Sequence, residues 1–282
     1  MLTRRRRSVA KMVNYFVFIA YAVTILLPLY YVLISSFKGN VEIFNNPLGW
    51  PETVDFGNYL RVQERVNALR AIGTSFVITT ASLFLILIVS IVAAYGIARV
   101  AGRFETKWPA LIAEAYFGLG FLIPAFSLLV PVFLLAARTG LLYNPGYLIL
   151  FYVASNLSLS ILMLSSHMRG IPRALEEAAE IDGASRFQVL RYVIVPLSRS
   201  GIMTVSVLNF IGIWNEYIFA LMLLDSRYRT IQVAIPLLRT MRKVDYGLIS
   251  AGVVAALIPV YLVFIFFQER VIQGMSSGAV KQ

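Results

Sequence analysis

The chain has 282 residues, 59% of them hydrophobic and 14% charged, with a formal net charge of +11. A soluble domain carries about 25% charged residues, so a water-exposed globular surface is excluded and a membrane setting is implied. The absence of cysteine removes disulfides, thiol catalysis and thiolate metal sites, and the single histidine, His167, cannot form a His-rich metal site alone.

In chain order, Arg4 to Arg7 and Lys11 precede an apolar run over about 12–34. A cleaved signal peptide has a shorter apolar core and a small-residue cleavage site. The run is read as an uncleaved first span, with a twin-arginine export signal as the weaker alternative. A long polar segment from Ser35 to Ile72 follows, with a short helix expected near Phe56 to Ala68. Further spans are expected near 73–98, 111–136, 146–166, 201–224 and 250–268. Blocks of about 20 apolar residues suffice to cross the hydrocarbon core, and backbone in lipid must satisfy its own hydrogen bonds, so they are helices. Pro28, Pro124, Pro131 and Pro259 fall in or near spans and are expected to kink them. The expected fold is therefore an all-α membrane protein of about six transmembrane helices in a single domain, 1–282.

The distribution of Lys and Arg favours both termini in the cytoplasm. One segment, 225–249, is basic although this topology puts it outside. Either it meets an acidic external partner or the last two spans are misassigned.

Between the fourth and fifth spans lies the polar stretch 170–200. Pro172 suits a helix start and Gly183 a helix end, which predicts a helix of about three turns between them. Glu176 and Glu177 lie in its N-terminal half, where the helix dipole favours negative charge. Leu175, Ala178, Ala179 and Asp182 are expected on one side. A second helix is expected from about Ser185 to Tyr192, ending toward Pro196. A helix this short is unstable alone. Two readings stand: it caps the bundle, or it docks a cytoplasmic partner.

Glu114 lies near the start of the third span. Asn209, Trp214, Asn215 and Glu216 fall within the fifth. The seven-residue spacing of Asn209 and Glu216 puts them on one helix face if the helix is continuous. Aromatic rings with amides and carboxylates suit a sugar, whereas the alternative is interhelical hydrogen bonding. The phosphate-binding loop, the nucleophile elbow and the zinc-protease helix are absent from the sequence, so ATP hydrolysis by a P-loop is not expected of this chain.

The run Glu177-Ala178-Ala179-Glu180-Ile181-Asp182-Gly183-Ala184, followed by Ile194-Val195-Pro196-Leu197, resembles the EAA loop of binding-protein-dependent ABC importer permeases. Ile123-Pro124, Pro131, Gly140-Leu141, Ile171-Pro172, Trp214-Asn215-Glu216-Tyr217 and the end of the chain from Gly274 to Lys281 are similar to the carbohydrate-uptake, MalG-like branch. Arg199-Ser200 before Gly201 departs from relatives that carry a proline there.

The resemblance implies a type I ABC importer permease fold and a permease subunit for mono- or oligosaccharides, in a bacterial or archaeal cell (inner) membrane. It implies a heterodimer with a second permease, separate ATP-binding subunits that use ATP and Mg, and an extracytoplasmic solute-binding protein. No cofactor or metal is expected on this chain. Glu177, Ala178, Ala179, Asp182 and Gly183 would couple it to the ATPase. Asn209, Trp214, Asn215 and Glu216 would line the substrate pathway, and Thr230, Gln232 and Pro236 would meet the binding protein. A permease for another solute such as glycerol phosphate, or an ion-coupled secondary transporter, are the alternatives.

Overall fold

A computed structural model describes residues 2–100, 108–239 and 244–279, with side chains over 11–99, 108–239 and 244–266. Arg103, Lys107, Arg242, Lys243, Arg270 and Lys281, which enter the charge bias, and most of the C-terminal resemblance lie outside the residues or side chains described. The described chain is helical, with no strand among the described residues.

The helices are α1 (Leu2–Ser35), α2 (Asn40–Asn45), α3 (Gly57–Val66), α4 (Ala68–Tyr95), α5 (Trp108–Leu122), α6 (Leu129–Arg138), α7 (Pro145–Arg169), α8 (Ala174–Ile181), α9 (Arg186–Val189), α10 (Val195–Leu197), α11 (Arg199–Trp214), α12 (Ile218–Leu223), α13 (Ile231–Ala234) and α14 (Tyr246–Ala279). Among the described residues, four segments are long and apolar enough to cross a membrane by themselves: Lys11–Ser35, Ala68–Arg99, Pro145–Arg169 and Tyr246–Phe266. Two bent pairs bring the total to six if each serves as one span.

The kink expected at Pro124 is a full change of direction, and the fifth span, expected as continuous over 201–224, is interrupted after Trp214. Between α5 and α6 the chain turns by 83°, through Pro124 and the 3-10 turn Ala125–Leu128. Proline has no N–H to continue the helix, and Ser127 instead donates from its backbone to the Pro124 carbonyl. The segment Arg186–Leu197 meets α11 at 75°. With 16 residues, α11 spans about 24 Å. It stops at Trp214, and α12 begins only at Ile218. Hydropathy averages over a window and does not see these changes of direction.

The chain divides into two compact units, Met1–Leu69 with Ala234–Ile258, and Arg70–Val233 with Pro259–Gln282. In the first, the polar segment after α1 is ordered by hydrogen bonds. Buried Lys38 donates from Nζ to the carbonyls of Asn46 (2.8 Å) and Gly49 (2.5 Å). Asn58, from α3, donates to the carbonyls of Ser36 and Lys38. Asn40 bonds both the Val244 carbonyl and the Tyr246 N–H, and Arg61 pairs with Asp245 at 3.0 Å. Gly247 lies against the Lys38 carbonyl, where a Cβ would collide with backbone.

Among the described residues, the second unit holds two apolar clusters. One gathers Ile86, Leu148, Tyr152, Phe219 and Leu223 with their neighbours. The other gathers Ala94, Leu164, Met168, Val189, Ile194 and Val205, and its flank includes Ile171, Ala179 and Ala184. That second cluster supports the loop 170–200.

Candidate functional site

The loop begins where α7 ends, at Arg169 and Gly170. Pro172 precedes α8, which starts at Ala174 and has eight residues. It is thus about two turns long rather than the three expected, because the first residues after Pro172 form a tighter turn in which the Leu175 N–H bonds the Pro172 carbonyl. Gly183 adopts φ +84°. Its N–H bonds the Glu180 carbonyl and the Ala184 N–H bonds the Ala179 carbonyl, the paired closure of a Schellman end. Ser185 then caps α9: the Gln188 N–H reaches Ser185 Oγ at 3.4 Å and the Ser185 N–H reaches Gln188 Oε1 at 2.7 Å, the reciprocal bonds of a capping box. The helix continues through a π-helical turn, Leu190–Ile194, into α10, which ends at Leu197, next to the Pro196 toward which it was expected to end.

Leu175, Glu177, Ala178, Ile181 and Asp182 are exposed, and Ile181 is 86% exposed. Ala179 instead packs against the cluster below, so it does not share the outward side with Ala178 and Asp182. The inward side also carries Glu176, 3% exposed. Its Oε1 lies 2.8 Å from Arg99 Nε, an ionic contact without the alignment of a hydrogen bond. Arg99 is 4% exposed and sits in the π-helical turn Gly96–Val100 that extends α4. Its guanidinium also donates to the carbonyls of Met168 and Ile171, both at 2.6 Å. Glu114 of α5 pairs with Arg169 at the end of α7. Sequence reasoning used Arg99 only as a topology charge and Glu176 only as a dipole partner. The available signal was a guanidinium at the end of an apolar helix, a position that demands a partner.

The fifth-span residues separate. Asn209 is buried and donates to Ser160 Oγ (3.0 Å) and the Val205 carbonyl (2.8 Å). Trp214 is buried and stacks on Phe210. Glu216 lies beyond the end of α11, so it does not share a helical face with Asn209. It accepts from Tyr152 Oη at 2.5 Å and from the N–H groups of Phe219 and Ala220 at 2.8 and 3.0 Å. The carboxylate thus caps α12 and fastens it to α7. Asn215 is exposed, and its Oδ1 accepts from Gln232 Nε2 at 3.3 Å. The fold therefore joins one expected pathway residue to one expected docking residue.

Thr230 is buried. Pro236 is exposed on the 3-10 turn Ile235–Leu238. Arg227 bonds Asp225 at 2.7 Å, and that side-chain hydrogen bond holds the Asp225 carboxyl below its ordinary range. Part of the positive charge in 225–249 is thereby paired internally. Among the described residues no group of acidic and histidine side chains could hold a metal ion.

The family described as "Binding-protein-dependent transport system inner membrane component" matches residues 94–277. The chain is 30% identical over 272 residues to the diacetylchitobiose uptake system permease protein NgcG of Streptomyces coelicolor, covering 95% of this chain and 88% of that one. It is 33% identical over 258 residues to the sulfoquinovosyl glycerol transport system permease protein SmoH of Agrobacterium fabrum, covering 91% and 89%. It is 31% identical over 265 residues to the trehalose/maltose transport system permease protein MalG of Thermococcus litoralis, covering 92% and 93%. Its fold is similar to a chain of a bacterial ABC transporter involved in the import of the acidic polysaccharide alginate, with a TM-score of 0.80 at 22% identity over 93% of this chain and 96% of that one.

Proposed function

Because the chain belongs to the family of binding-protein-dependent transport system inner membrane components, we propose that it is the permease subunit of an ATP-driven sugar importer. It forms the translocation pathway with a second permease and is driven by a separate ATPase. The sugar class is supported by relatives whose names specify diacetylchitobiose and trehalose/maltose transport.

The observation that carries the mechanism is α8. A two-turn helix with both ends defined presents Glu177, Ala178, Ile181 and Asp182 outward from a packed base. Small Ala178 lets another surface approach, and Ile181 offers apolar area that needs cover. We assign this face to the ATPase and Glu177 to an ionic or hydrogen-bonded anchor there. ATP and Mg belong to that partner, and this chain contributes no catalytic group. Work on the spans requires that α8 meet different contacts in the two ATPase states.

On the other side of the membrane, exposed Asn215 and half-buried Gln232 are assigned to the face that meets sugar or the binding protein. Asn209 and Glu216 are assigned to holding the bundle, since their bonds run between helices. In this reading both termini are cytoplasmic, which the bias of Lys and Arg along the sequence supports.

Co-purification tests the assignment. The tagged chain is expected to bring a second permease and an ATPase with it. Ala178→Trp on the outward face is expected to release the ATPase while keeping the second permease. Retention of the ATPase at the wild-type level by that variant contradicts the assignment of α8.

A further inference from the structure

We propose that Arg99 and Glu176 are positioning residues that tie α8 to the ends of α4 and α7, so that a displacement of α8 moves both spans together. The proposal rests on the permease reading and adds to it the route from the docking helix to the membrane.

Three elements meet at one guanidinium. Arg99 leaves α4 through a π-helical turn, a local widening that recurs at functional positions and re-aims a side chain. Its two donated bonds reach the carbonyls of Met168, in the last turn of α7, and Ile171, in the link to α8. Carbonyls at a helix end have no partner within the helix, and a cation there also meets the negative end of the helix dipole. The remaining side of the guanidinium meets Glu176, in the first turn of α8.

Both charged side chains are almost fully buried. A buried pair resists separation because each charge, once parted, lacks both partner and water. The two flanking links and contacts such as that of Ala179 also hold α8. The pair is a buried lateral connection between α8 and the end of α4. Glu176 precedes the outward Glu177, so adjacent carboxylates divide the labour: one faces the partner and one faces the spans.

The test uses the full complex in proteoliposomes, with ATPase and liganded binding protein, and measures sugar imported per ATP hydrolysed. Glu176→Gln and Arg99→Gln are expected to lower that ratio by on the order of tenfold, a shift typical of lost coupling between sites, while the ATPase remains bound. Arg99→Lys keeps the charge but not the planar fork that serves three acceptors, and is expected to fall between Arg99→Gln and wild type. A merely structural role would lower the amount of complex and leave the ratio unchanged, and an unchanged ratio in both Gln variants overturns the proposal.

If those variants do not accumulate, the otherwise wild-type chain decides. It has no cysteine, so spin labels on Val92→Cys of α4 and Ala174→Cys of α8 are site-specific. The distance between them is expected to stay constant between nucleotide-free and ATP-bound complexes. A peak that moves between the two states overturns the proposal. A wild-type complex that imports no sugar contradicts the permease reading itself and takes this role down with it.

Discussion

Arg99 shows how a single side chain in an apolar helix is stabilised. One carboxylate and two carbonyls surround its guanidinium. Arg99→Met would leave Glu176 buried without its counter-charge, which costs about 3–5 kcal/mol. A clear fall in melting temperature of the detergent-purified complex is the expected outcome, larger than for Glu176→Gln, whose amide keeps polar contact with the guanidinium. Gly201 makes a second residue-scale case. A Cβ there would lie 2.7 Å from Cγ of the His167 ring, so α11 passes α7 closely only because the side chain is absent. Gly201→Ala is expected to destabilise the complex, and His167→Ala in the same chain to recover part of the loss. A double-mutant cycle should give a coupling of about 0.5 kcal/mol or more; strict additivity would count against the close approach. Neither partner was readable beforehand. Composition and spacing locate Arg99, Glu176, His167 and Gly201 along the chain, but pairings separated by 34 to 77 positions are set by how spans pack.

At the scale of elements, the α8 end was legible and the spans less so. Gly183 was expected just past a helix end, and its φ of +84° is the conformation for which a Cβ costs about 1–2 kcal/mol. Gly183→Ala should therefore lower import more than Gly183→Asn, since asparagine tolerates this region better, with both measured at matched abundance. Equal import by the two variants would remove the conformational argument. The fifth span illustrates the opposite. A continuous helix over 201–224 put Asn209 and Glu216 on one face, but the helix stops at Trp214 and Glu216 caps the next one. Polar residues in a span signal that something is bonded without saying whether the partner is solute or helix. Asn209 is buried in a bond to a neighbouring helix, whereas Asn215 is exposed. Asn209→Ala is expected to lower stability first, through the lost bond to Ser160. Asn215→Ala is expected to lower sugar import with little change in melting temperature. The reverse order of effects would reassign both.

For the whole molecule, hydropathy carried the class of fold because lipid admits so few backbone solutions. It could not report the 83° and 75° bends, which follow from proline placement and packing rather than from mean apolarity. Much of the apolar side-chain area stays uncovered by the chain itself: only 6% of the most apolar window of α1 is buried. Such a surface requires hydrocarbon or another subunit. The direct measurement is uptake of labelled sugar into proteoliposomes holding this chain and its partner permease, with ATPase and binding protein added or withheld. Uptake is predicted only when ATP, the ATPase and the binding protein are all present, and it should persist after ion gradients are collapsed. Uptake without the ATPase, driven by an ion gradient, would contradict the account.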